Sequence, residues 1–106
     1  MRSYYADEDL WSYEELDGER WSTRHVEVRG RDGTVVAAAS LAEVIAAREA
    51  GGFSAVVLYE RQYGTVPEAP FPEAPAADEP AMEPVSAVEF EALWLRGRQA
   101  CADQLK

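Results

Sequence analysis

All six prolines of this chain fall between Pro67 and Pro84, and that placement limits where regular structure can form. Proline lacks an amide donor and fixes φ, so at this density neither a helix nor a sheet ladder runs through the segment. Inside it, Val66-Pro67-Glu68-Ala69-Pro70 is followed by the near-repeat Phe71-Pro72-Glu73-Ala74-Pro75. Such a composition favours an extended, polyproline-type run over 66–84. Two placements are open to its middle part: a solvated linker, or a strap along a sheet with Phe71 and Met82 inserted. Helices and strands are left to the stretches on either side. At 106 residues these supply one domain, 1–106, with one hydrophobic core.

The N-terminal stretch reads as strands. In Leu10–Leu16, Trp11, Tyr13 and Glu15 alternate with Ser12 and Glu14. Asp17-Gly18 follows, and alternation on both sides of Asp-Gly signals a hairpin. A two-residue turn there sets Glu15 opposite Arg20, Tyr13 opposite Ser22 and Trp11 opposite Arg24. The second strand continues through His25-Val26-Glu27-Val28-Arg29. Trp21 has the opposite parity to Val26 and Val28, which calls for a bulge or for cover on both faces. Arg31-Asp32-Gly33 makes a second turn, and Thr34–Ala39 is a third, more buried strand.

Two helix starts are marked by capping boxes, Ser40-Leu41-Ala42-Glu43 and Ser86-Ala87-Val88-Glu89. The first opens a helix with Leu41, Val44, Ile45 and Arg48 on one face, stopped by Gly51-Gly52. The second carries Phe90, Leu93, Trp94, Cys101 and Leu105 at roughly helical spacing, with Val85 and Phe90 placed as a hydrophobic staple. Gly97 costs this helix about 1 kcal/mol relative to Ala, so fraying beyond it is expected. Between the helices, Phe53–Tyr59 is apolar and β-branched and reads as a fourth strand. The expected class is α+β: an antiparallel β-meander of three to four strands with two helices, the C-terminal helix packed on the sheet.

Twenty Asp and Glu against ten Lys and Arg give a formal net charge of −10. Phosphate contact needs clustered cations, so direct nucleic-acid binding and an anionic membrane surface are both disfavoured. No apolar stretch approaches the ~20 residues that span a bilayer, and the start lacks a signal-peptide core. With Cys101 the one cysteine and no disulfide implied, a cytoplasmic protein is expected. The charges are also segregated. No Lys or Arg answers Asp7, Glu8, Asp9, Glu14, Glu15, Asp17 and Glu19 before Arg20, and 62–95 holds acids but no base. A partner-facing acidic surface is expected at Asp7, Glu8, Asp9, Trp11 and Glu14, and along the proline segment at Glu68, Glu73, Asp78 and Glu79.

Catalytic and metal chemistry find little support in the sequence. The single histidine, His25, sits mid-strand with no flanking motif, and reads as structural rather than as a general base. Asp7-Glu8-Asp9 lacks the spacing and glycine of a calcium loop, and no Cys or His cluster suits zinc. No cofactor is expected. Glu14 and Glu15 cannot flank one bond because adjacent strand residues point to opposite faces, which leaves Glu14 with Glu27 or Asp9 as a carboxylate pair.

Glu15-Leu16-Asp17, Arg20-Trp21, Arg24, Val26-Glu27-Val28 and Asp32-Gly33, together with the closing Val85–Trp94 stretch, resemble a family of small bacterial proteins of unassigned function. That family shares an Arg-Trp, Arg-x-Val-Glu-Val, Asp-Gly segment and a final Ser-x-x-Glu-Phe-Glu-x-x-Trp helix. Residues 40–65 depart from the pattern. The resemblance implies a compact α+β fold and the company of toxin–immunity or other accessory loci; it carries no catalytic residues.

The leading expectation is a non-enzymatic module that binds a basic protein partner, of the immunity-inhibitor type. The alternatives are a structural or regulatory subunit that homo-oligomerises through its third and fourth strands, and an enzyme acting on a small cationic or sugar substrate through Glu14 and the tryptophans.

Overall fold

The computed structural model describes residues 1–73 and 79–103. Four strands, β1 (Arg2–Tyr5), β2 (Leu10–Leu16), β3 (Ser22–Arg29) and β4 (Val35–Ser40), form an antiparallel sheet in the order β1-β2-β3-β4. Two helices follow, α1 (Leu41–Tyr63) and α2 (Ala87–Asp103), and α2 packs on the sheet. The α+β meander is as expected, but its fourth strand is β1 at the N-terminus. The expected strand 53–59 is helical.

Gly51-Gly52 does interrupt the first helix. Gly52 adopts φ 66° and ψ −152°, a backbone region open essentially to glycine, and the chain then resumes a helical course to Tyr63. Val56, Tyr59 and Tyr63 recur at helical spacing and point back at the sheet, where they join Ala39, Val44 and Val66 in one cluster. That spacing, and not β-branching, decides the segment. Ile45, expected on the inner face, is 41% exposed.

The first capping box forms in altered shape. Ser40 Oγ accepts from the Glu43 amide at 3.4 Å, but the Ser40 amide donates to the Tyr59 hydroxyl at 2.8 Å. Glu43 turns away to accept from Tyr59 and from Arg98. At the second, Ser86 Oγ accepts from the Glu89 amide at 3.1 Å, and Val85 packs with Phe90. α2 buries Phe90, Leu93, Gly97 and Cys101. It does not fray at Gly97. A Cβ at that position would lie 2.8 Å from both Ala38 Cβ and Val35 Cγ1, so the glycine lets helix and strand approach closely. Leu105, expected on this helix, lies outside the described residues.

The β2–β3 hairpin corrects the expected register. Its loop has three residues: the Arg20 amide donates to Asp17 O and the Asp17 amide to Trp21 O, both at 3.0 Å. Arg20 takes φ 66°. Asp17 Oδ1 accepts from the Glu19 and Trp21 amides and holds the turn. A bulge follows, with Leu16 opposite Ser22 but Glu15 opposite Arg24. Glu14 then faces His25, Tyr13 faces Val26 and Trp11 faces Val28.

Alternation along β3 sends Val26 and Val28 to one face of the sheet and His25 and Glu27 to the other. On the first face they pack with Tyr13, Val35, Ala38, Phe90 and Leu93 under α2. On the second, α1 covers β4, while the start of the proline segment lies over β2 and β3. There Arg20 holds the segment down: its amide oxygen accepts from the Phe71 amide, and its guanidinium donates to Phe71 O and Pro72 O, each at 2.8 Å. Arg2 and Glu83 exchange backbone hydrogen bonds at 2.8 Å and form an ion pair. Phe71 and Met82 are half-buried in these flanking parts, while 74–78, the middle for which a linker or a strap is open, lie outside the described residues.

Candidate functional site

Beneath the start of the proline segment, β2 and β3 bring three ionisable side chains together. His25, 4% exposed, places Nδ1 against Glu14 Oε1 and Nε2 at 2.9 Å from Glu27 Oε1. Only an imidazolium can donate at both nitrogens. Burial pulls the ring's pKa down, but the hydrogen bonds it donates to Glu14 and Glu27 outweigh it and raise it from 6.5 to about 9. The same pairing holds the Glu27 carboxyl below its usual range. Glu14, 5% exposed, also accepts from Ser12 Oγ and Ser22 Oγ. Every buried polar side-chain atom among the described residues has a partner.

This network floors an inner cleft of about 270 Å³ whose walls include Tyr5, Glu8, Pro67 and Phe71. An outer cleft of about 370 Å³ lies beside it, lined by Tyr4, Tyr5, Asp7, Glu8, Glu79 and Pro80. Tyr5 and Glu8 belong to both. The Tyr5 hydroxyl is pushed above its usual pKa, first by burial and then by the negative charges of Glu79, Glu14 and Glu8. Tyr4 and Tyr5 are 37% and 42% exposed. None of Asp7, Glu8 and Glu79 pairs with a cation among the described residues.

The acids expected to face a partner divide accordingly. Asp7, Glu8 and Glu79 meet at the outer cleft. Asp9 is spent within the fold: it accepts from Tyr4 Oη at 2.7 Å and from the Arg31 amide at 2.9 Å. Glu68 pairs with Arg48 at 2.8 Å, and Glu73 is exposed. Asp78 lies outside the described residues. Glu14 is corrected from surface to interior, because the observed register turns it toward His25. Trp11 is half-buried; it packs against the α2-side cluster, lies 5.1 Å from the Tyr4 ring and has Arg2 4.6 Å above it. Since Trp11 and Glu14 occupy opposite faces, they do not form a joint substrate site.

Arg24, expected opposite Trp11, instead pairs with Glu15 and Glu91 and sits 5.2 and 4.9 Å from the Phe90 and Trp94 rings. Cys101 is buried, and burial raises its thiol pKa more than nearby Arg98 lowers it, which disfavours the reactive thiolate. No helix among the described residues is long and apolar enough to cross a membrane. Among those residues, no three His, Cys, Asp or Glu side chains form a group suited to a metal ion.

Comparison with known proteins returns no match, whether to a family model, to a curated protein or to a solved structure.

Proposed function

We propose that the protein is a non-enzymatic interaction module that engages a basic protein partner through the acidic, tyrosine-lined clefts at the β1–β2 end of its sheet. One observation carries this reading: Asp7, Glu8 and Glu79, without cationic partners among the described residues, line one cleft with the 42% exposed Tyr5, and Tyr4 is at its margin. Unneutralised acids steer a basic partner into encounter, and aromatic rings supply contact area at little entropic cost. An immunity-type inhibitor working on a basic toxin in the cytoplasm fits this chemistry, and the resemblance of its hairpin and closing helix points the same way.

The reading is tested by retention of basic proteins on the immobilised chain at low and high salt. Retention that weakens with salt, and falls further in an Asp7→Asn, Glu8→Gln, Glu79→Gln variant, is expected. Salt-indifferent retention, or a triple variant that binds as well as the parent, overturns it. For the alternative, homo-oligomerisation through a third and fourth strand, the expected residues are differently placed: Ala37, Ala38 and Ala39 are buried and 53–59 is helical.

A further inference from the structure

The inner cleft is too small for a drug-sized ligand, for which pockets run from about 300 to 1,000 Å³. At about 270 Å³ it suits one side chain. Its floor is chemically complete: His25 spends both ring nitrogens on carboxylates and Glu14 both oxygens on Ser12, Ser22 and His25. His25 therefore has no donor left for an anion. What remains for an incoming group is carboxylate. Glu27 uses only Oε1 on His25, and Glu8 makes no side-chain bond among the described residues. Against these acids stand two rings, Tyr5 and Phe71.

Carboxylates beside an aromatic face already hold an arginine inside this molecule. Arg24 lies between Glu15 and Glu91, with Phe90 and Trp94 against its guanidinium. Arg98 pairs with Glu43 and lies over Tyr63 and Trp94. The inner cleft assembles the same parts, and no arginine of this chain is among its lining residues.

Resting on the binding role proposed above, we infer that the inner cleft receives the guanidinium of one partner arginine, its face on the Tyr5 and Phe71 rings and its N–H groups on Glu27 and Glu8. A lysine ammonium is the weaker occupant, because a point charge gains less from flat walls and cannot present a planar fork to a carboxylate. The outer cleft, with Asp7 and Glu79, then serves cations flanking that arginine in the partner.

The test titrates Nα-acetyl-arginine amide into the full-length, isotopically labelled chain and follows the His25, Tyr5 and Phe71 resonances. Nα-acetyl-citrulline amide, a neutral near-isostere, is the control, and the lysine analogue is the competitor class. Saturable shifts at all three residues are expected, at least tenfold weaker for citrulline and several-fold weaker for lysine. Glu27→Gln should cost tenfold or more. If that variant fails to fold because His25 loses a partner, Phe71→Ala, which keeps every carboxylate, should cost several-fold. Equal response to arginine and citrulline, or shifts confined to the Asp7–Glu79 side, overturns the inference. The two readings fail separately. Salt-sensitive retention of basic proteins without an arginine response at His25 leaves the interaction module standing and removes its arginine pocket. An arginine response without retention of any basic protein does the reverse.

Discussion

Behind β3, where α2 lies, Val26 and Val28 meet Phe90 and Leu93 in an apolar cluster, with the Arg24 guanidinium against the Phe90 ring at its margin. In front, the same strand sets His25 between Glu14 and Glu27. The two faces specify different things. Apolar contacts are non-directional and tolerate exchange of one hydrocarbon for another. A buried imidazolium between two carboxylates is satisfied in one pairing alone, and a slip of β2 against β3 would strand its members in the interior. The back supplies cohesion. The front fixes which residue sits opposite which, and carries the cleft.

The sharpest way to break this contrast is to remove the imidazolium. His25→Ala leaves the Glu14 carboxylate buried beside an empty space, and a loss of about 3–5 kcal/mol is expected, read from urea unfolding. A loss below about 1 kcal/mol would mean that Glu14 finds water or another partner, and that the front face fixes nothing.

Changing the pH is gentler, because the side chains stay in place. His25 has its folded pKa raised from 6.5 to about 9. Its stabilisation is therefore complete below about pH 6.5 and is lost as pH climbs through about 9. Glu27 is shifted the other way, so its share is present above about pH 4.5 and fades as pH falls. The melting temperature should be highest between these limits. The alkaline decline should disappear in His25→Ala; if it persists there, the ring is not its source.

At the back, Gly97→Ala should produce the smallest change. A helix gains about 1 kcal/mol from this exchange, while crowding a close-packed contact costs about 1–3 kcal/mol. With the new methyl 2.8 Å from Ala38 and Val35, a small net loss that does not vary with pH is expected in the same unfolding measurement. A net gain would show that α2 can rise off β4 at little cost.

What the sequence shows plainly is what local chemistry controls. Ser40 and Ser86 start their helices as their capping patterns announce, and the Asp17 and Asp32 turns fall where expected. The site is hidden by two backbone features of the hairpin. With a two-residue turn at Asp17-Gly18, Glu14 faces Trp21 and His25 lies opposite Leu10. Arg20 in the left-handed region and the bulge at Thr23 bring His25 opposite Glu14 instead. Arginine is an uncommon occupant of that region, so nothing in the sequence signals it. Phe53–Tyr59 misleads for another reason: a short apolar run fits either period, and only the extension to Tyr63 reveals the helical one. β1 is four residues long, and pairing with β2 defines it more than its own pattern does.

Arg98 reaches round the sheet margin to donate to Ala38 O at 3.0 Å, while at the opposite margin Glu83 pairs with Arg2. A sheet recruits a neighbouring molecule through unspent amides and carbonyls along its outermost strands. Here each flank is already engaged by the chain's own groups at one such point, and a second sheet joining side by side would first have to displace a guanidinium or a glutamate backbone. The arrangement works against side-by-side association of sheets in crowded solution.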